Sequence, residues 1–305
     1  MDIDGPVHYL DFGGPRDGAV IVCVHGLGGS AVNWTAIGPL LAGRYRVLAP
    51  DLAGHGLTQS RGRGTDVQAN TALLDRFIES VSAGPVILMG NSMGGMIALL
   101  EAATGPAAVA GLILLDPALP FWPARPDPVV AAIFALSTTP GVGRVMLARR
   151  RRLSPELLVA RTLALCCVDV SRVGADIIAQ HVEVARQRAA FANIDRDFMA
   201  AVRSVLTTIG YGRGQGYRRR IRSITCPVLL LHGAHDRLVP VAAARAAARA
   251  NPSWSLVVLP GVGHVPQLEV PQETTRVISE WLGSAGRRAA ESATPTPPAG
   301  GTAAP

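Results

Sequence analysis

Val86-Ile87-Leu88-Met89-Gly90-Asn91-Ser92-Met93-Gly94-Gly95-Met96-Ile97 carries the strongest structural signal in this 305-residue chain. Its first four residues are apolar without alternation, as suits a strand buried on both faces. From Met93 to Thr104 the pattern is that of a helix. Between the two, Gly90-Asn91-Ser92-Met93-Gly94 has the form G-x-S-x-G, a sharp strand-to-helix turn. Such a turn needs small neighbours, and Gly90, Gly94 and Gly95 supply them. It lifts the Ser92 hydroxyl above the sheet, at a helix N-terminus whose dipole favours negative charge.

Other short apolar runs flank this unit. Val7–Phe12 reads as a strand, Val20–Val24 ends at His25-Gly26, and Arg46–Ala49 ends at Pro50-Asp51. Leu112–Leu115 ends at Asp116-Pro117, Val228–Leu231 at His232-Gly233, and Leu256–Leu259 at Pro260. Helical patterns separate them, such as Asp66–Val81 with its stripe of Leu73, Leu74, Phe77, Ile78 and Val81. Alternating strand and helix implies parallel strands joined by helical crossovers. From Pro117 to about Ile224 the strand pattern stops. Helical stretches replace it, followed by a glycine- and arginine-rich loop over Gly210–Arg220. The expected organisation is a core over 1–117, a helical insertion over 118–224, a resumed core over 225–283 and a disordered tail over 284–305.

A serine hydroxyl is a poor nucleophile until a base removes its proton. His264, after the last strand in Gly261-Val262-Gly263-His264, stands where that base is needed. An imidazole base needs a carboxylate to hold its tautomer, and Asp236 follows the preceding strand. Asp116, after a different strand, is the rival for that role; Asp236 is preferred because its surrounding segment also fits. Two backbone N–H groups are needed for the oxyanion, and Met93 and Leu27 are the expected donors. His25 and His55 read as loop organisers. Arg186 and Arg188 read as a solvated helix face.

Five segments in order carry a family resemblance: His25-Gly26-Leu27-Gly28-Gly29, Asp51-Leu52-Ala53-Gly54-His55-Gly56, Gly90–Gly95, His232-Gly233-Ala234-His235-Asp236 and Gly261–His264. Over Val7–Leu282 the chain resembles the α/β-hydrolase superfamily. The resemblance implies an α/β fold with a mostly parallel eight-stranded sheet flanked by helices, and a helical cap inserted after the sixth strand. It implies acyl transfer to water with a small-molecule acyl substrate: a carboxylic ester, thioester or lactone. A serine at the elbow argues against the epoxide hydrolases and haloalkane dehalogenases, which use aspartate there. An esterase or lipase-like role comes first. Carbon–carbon bond hydrolases of ring-fission products, cofactor-free haloperoxidases and ligand receptors that keep the triad stay open beside it. The carbon–carbon hydrolases share the elbow string but differ in the oxyanion loop, here Gly28-Gly29-Ser30, and after the histidine, here Val265.

Composition bounds the rest. The net charge is +7, and every basic residue is arginine. Ala118–Ile224 holds 17 arginines against 7 acids, so the excess lies in the insertion. That excess reads first as a solvated, arginine-rich surface; an anionic or membrane-associated substrate with peripheral lipid contact is the second reading. No aromatic- or glycine-rich nucleic-acid motif accompanies it, so no nucleic-acid partner is expected. Cys23, Cys166, Cys167 and Cys226 show no C-x-x-C pairing and read as buried thiols. No cofactor fingerprint or metal-ligand spacing is seen, so neither cofactor nor metal is expected. The acidic start Met1-Asp2-Ile3-Asp4 is unlike a secretory signal, no apolar stretch reaches a membrane span, and a cytoplasmic location is the default. Oligomeric state is left open.

Overall fold

A computed structural model of the chain describes residues 1–120, 127–139, 141–210 and 215–293. Its seven strands are β1 (Tyr9–Gly13), β2 (Val20–Val24), β3 (Arg46–Pro50), β4 (Val86–Asn91), β5 (Val109–Leu115), β6 (Val228–Gly233) and β7 (Ser255–Leu259). They form one sheet in the order β1-β3-β2-β4-β5-β6-β7. Only β1 runs antiparallel to its neighbour; the other pairings are parallel. The apolar runs of the sequence are these strands.

Helices cover both faces, which is why the central strands are apolar without alternation. They are α1 (Gly38–Leu41), α2 (Val67–Val81) and α3 (Met93–Thr104), then α4 (Pro128–Thr138), α5 (Val142–Arg150), α6 (Pro155–Cys166), α7 (Ala175–Arg188), α8 (Ile194–Ile209) and α9 (Gln215–Arg222) between β5 and β6. After β6 come α10 (Val241–Ala250), α11 (Pro266–Glu269) and α12 (Pro271–Ala293). Leu74, Phe77 and Ile78 of α2 share a core with Met96, Ile97 and Leu100 of α3 and with Val22, Leu88 and Leu114 of the sheet. Trp34, Ile37 and Leu41 pack on the opposite face with Ile278 and Trp281 of α12. A third cluster joins Val159 and Leu163 of α6 and Ile177 of α7 to Val265, just before α11, and to Leu268 of α11.

Three sequence expectations are corrected. The sheet has seven strands among the described residues, not eight. Residues before β1 fold into a turn closed by an Asp2–Pro6 bridge, with positive φ at Asp4 and Gly5. Pro6 has no N–H to extend a ladder. The helical block therefore follows the fifth strand of seven. Second, Gln215–Arg222 is helix α9 rather than loop, because Tyr217 and Ile221, one turn apart, are both buried against the core; residues 211–214 lie outside the described residues. Third, α12 runs on to Ala293, past the expected start of the disordered tail. The alanines and arginines beyond Ser284 are good helix formers. Residues 294–305 lie outside the described residues.

The chain lays β2 beside β3 and then crosses back to place β4 on the other flank of β2. At such a reversal, the loops leaving the carboxyl ends of neighbouring strands splay apart and leave a crevice. The loop after β2 and the turn after β4 leave the sheet side by side there, with Val24 paired to Gly90.

Candidate active site

Ser92 has φ 55° and ψ −117°, in the left-handed half of the backbone map that side chains disfavour. Tertiary bonds hold it there. Its N–H donates to Leu115 O at 3.1 Å, and its carbonyl accepts from Ala118 N at 2.9 Å and Met96 N at 3.1 Å. The turn also needs its glycines. A Cβ on Gly94 would fall 2.0 Å from Val24 O, and one on Gly90 2.5 Å from Gly94 O. Gly26, in the loop after β2, faces the elbow so closely that its own Cβ would come within 3.1 Å of Ser92 Cβ.

Asp236 and His264 leave β6 and β7 on the same edge. His264 Nδ1 lies 2.7 Å from Asp236 Oδ2, and both residues are buried. Asp236 Oδ1 accepts from Leu238 N and Val239 N at 2.8 and 3.0 Å, which anchors the carboxylate. Burial works against its charge, but the His264 imidazole with its hydrogen bond, His232 and Val239 N–H outweigh it and hold Asp236 below the usual range. Asn91, one residue before Ser92, donates through Nδ2 to His264 O and Leu115 O, both at 3.0 Å. This amide ties the elbow to the His264 loop.

Asp116 reaches the same cluster from β5. Its Oδ1 accepts from Gly233 N at 2.8 Å, while its Oδ2 is buried without a partner. Complete burial, then the facing Asp236 carboxylate, push its pKa well above the usual carboxylate range, opposite in direction to that of Asp236. Asp116, Asp236 and His264 bring one carboxylate oxygen or ring nitrogen each within 4.8 Å of the others, and the His264–Asp236 hydrogen bond joins two of the three. His232 lies 3.5 Å from both carboxyl groups; burial lowers its pKa, and its Nε2 pairs with Val239 O at 2.9 Å.

Leu27 sits in the loop after β2, and Gly29 N donates to Gly26 O at 3.0 Å across it. Met93 is the first residue of α3, where an N–H has no intrahelical acceptor. The two expected oxyanion donors therefore lie on the two segments that meet at Gly26 and Ser92.

Several organising residues were not evident from the sequence. Asp51, fully buried, accepts from Ala31 N at 2.6 Å and Leu57 N at 2.7 Å and bonds His8 Nδ1 at 2.7 Å. A Cβ on Gly56 would strike its carboxylate at 2.0 Å, so the glycine of Gly54-His55-Gly56 was the available clue. Glu269, also buried, accepts from Val168 N and Asp169 N through one oxygen and from Gly263 N through the other, at 2.8–3.0 Å. It joins the end of α6 to the His264 loop, where His264 N also donates to Cys166 O at 2.7 Å. Nothing near Glu269 in the sequence signals this.

Arg186 is exposed and pairs with Glu183 and Glu156, as expected of a solvated face. Arg188 departs from that expectation: it turns inward and donates to Gly56 O at 2.6 Å and Gly54 O at 3.0 Å. His25 Nε2 accepts from Leu52 N at 3.1 Å and His55 Nδ1 meets Ala53 O at 3.1 Å, so both histidines brace loops. Burial holds His55 down at about 3 and raises all four cysteine thiols, Cys167 to about 12.

The sequence and fold have clear relatives. The chain is 27% identical to the dihydrolipoyllysine-residue acetyltransferase component of the acetoin cleaving system of Cupriavidus necator, over 92% of this chain and 68% of that protein. The chain thus spans about two thirds of that relative's length. It is 28% identical to the pimeloyl-[acyl-carrier protein] methyl ester esterase of Aromatoleum aromaticum, over 85% of this chain and 96% of the esterase. Among solved structures, a thermophilic esterase from Thermogutta terrifontis superposes with a TM-score of 0.64 at 26% identity, covering 92% of this chain and 93% of the esterase. The model of the alpha/beta hydrolase family matches residues 21–277, nearly the whole sheet and everything at its carboxyl edge, and the chain belongs to that family.

Proposed function

We propose that this protein is a serine hydrolase that cleaves carboxylic esters, or the related thioesters and lactones, through an acyl-enzyme. The observation that carries the reading is the buried 2.7 Å His264–Asp236 pair tied through Asn91 to the strained Ser92 turn. In this reading His264 takes the Ser92 proton as Oγ attacks the substrate carbonyl. The carbonyl π electrons move onto its oxygen, and the N–H groups of Leu27 and Met93 receive that oxyanion. Collapse expels the alcohol, which takes the proton from His264. Water then repeats the sequence on the acyl-enzyme, releasing the acid and restoring Ser92. Asp236, whose pKa is held low and which contacts the ring directly, steadies the imidazolium; Asp116, whose pKa is pushed up, makes no such contact.

The esterase relatives support an ester as the bond cleaved. Helices α4–α9 are the cap of this reading, and the side chains they turn toward the sheet would shape the acyl pocket.

A fluorophosphonate probe tests the nucleophile. Folded protein should label at one site, and Ser92→Ala should neither label nor turn over p-nitrophenyl esters, with kcat down by on the order of 10³-fold or more. Labelling of Ser92→Ala, or no labelling of the native chain, would overturn the assignment. Rates across esters of increasing chain length would then size the pocket.

A further inference from the structure

We propose that α4 and α5 form a docking surface for anionic lipid membranes, a role that goes beyond the hydrolase reading and does not depend on it. Val129, Ile133 and Leu136 of α4 are 56%, 39% and 48% exposed, and their spacing places them along one face. Val142 and Val145, one turn apart on α5, are 39% and 54% exposed. Five of the nine strongly exposed large hydrophobics among the described residues thus fall between Val129 and Val145. Burying these side chains would be favourable, and exposed apolar side chains gathered on two helices that pack together mark an interaction surface.

The surrounding charge selects the occupant. From Pro128 to Arg152 the chain has five arginines and no acid. Arg151 pairs with Asp195, and Arg150 lies over the Phe198 ring at 4.6 Å. Arg144, Arg149 and Arg152 are exposed and have no ion-pair partner among the described residues. A second copy meeting this face by two-fold symmetry would set arginine against arginine with no acid to neutralise them. A bilayer with anionic headgroups offers phosphates to the arginines and an apolar interior to the stripe, the pairing that holds amphipathic helices at an interface. No single described helix is long and apolar enough to cross a membrane. The two together have the length and composition but are bent by 105°, which suits lying on a surface rather than spanning.

The surface is joined to the crevice. The Phe198 ring under Arg150 lies so close to Gly28, in the loop after β2, that a Cβ there would come within 3.2 Å of it. A docked molecule would hold that loop near the lipid.

Flotation of the full chain with vesicles tests this, using phosphatidylcholine alone and phosphatidylglycerol-rich mixtures. Native protein should float with the anionic vesicles, less so at high salt, and not with phosphatidylcholine alone. The triple variant Arg144→Gln/Arg149→Gln/Arg152→Gln and the double variant Ile133→Asp/Leu136→Asp should each lower partitioning by about tenfold or more. Both should keep the native melting transition and native turnover of a water-soluble ester. Ser92→Ala should float as the native chain does, which separates this proposal from the catalytic one. No flotation of native protein, or flotation unchanged in both variants, overturns it. A concentration-dependent dimer abolished by the double variant, without vesicle binding, overturns it in favour of a second copy.

Discussion

Two acids stand near one histidine, and their environments differ. Asp236 has the direct 2.7 Å contact to His264 Nδ1, two backbone donors and a lowered pKa. Asp116 has one backbone donor, an unpartnered buried oxygen and a raised pKa. Replacing each by asparagine should give unequal results. Asp236→Asn removes the charge facing the imidazole and should lower kcat by on the order of 10³- to 10⁴-fold. Asp116→Asn changes a carboxyl that does not bond His264 and whose pKa is raised, and should stay within about tenfold of native. Steady-state kinetics on one soluble ester, with both variants checked for native melting, decides between the two acids; the reverse order would assign the acid role to Asp116.

Helices α2 and α3 pack together in the main core, and one buried acid sits awkwardly in α3. Burial, then repulsion from Asp75 and Glu79 on α2, raises the Glu101 pKa from its ordinary 4.5 to about 7. The raised value means that the fold keeps this proton after the unfolded chain has lost it. The contribution to stability is therefore complete below pH 4.5 and is lost as pH rises through about 7. Glu101→Gln, neutral at every pH, should be more stable than native at pH 8 by about 1–2 kcal/mol after allowance for solvent screening. At pH 4.5 the two should be equal. Urea unfolding at both values measures the difference; a constant offset would show that repacking, not protonation, sets it.

Across the whole molecule, the helices between β5 and β6 are fastened to the sheet's carboxyl edge by polar contacts at separate points. Arg188 holds the Gly54 and Gly56 carbonyls, Glu269 holds Val168 and Asp169, Tyr217 donates to Ala118 O at 3.0 Å, and Thr65 donates to Asp197 O at 3.2 Å. Arg188→Ala removes the first and leaves two carbonyls to water. Hydrogen exchange should quicken in α7 and around Gly54–Gly56, with little change in β4 or β6, and KM should rise more than kcat falls. Uniformly faster exchange would mean that Arg188 supports global stability instead.

Much of this was legible in the sequence because the physics is local. A strand buried on both faces must be apolar, a serine in a strand-to-helix turn must have glycines around it, and each loop that leaves a strand's carboxyl end announces itself by the residue that follows. Hence the strands, the elbow at Ser92 and the chain order of Ser92, Asp236 and His264 could be read directly. Only the tertiary structure decided what depends on distant neighbours: which acid touches His264, that Glu269 and Asp51 accept from backbone far away in sequence, and that Arg188 turns inward. It also decided that Gln215–Arg222 is helical, since Tyr217 and Ile221 gain their burial from the core rather than from adjacent residues. The exposure of Val129, Ile133 and Leu136 belongs there too. An apolar helix face reads the same in sequence whether a core covers it or nothing in the fold does.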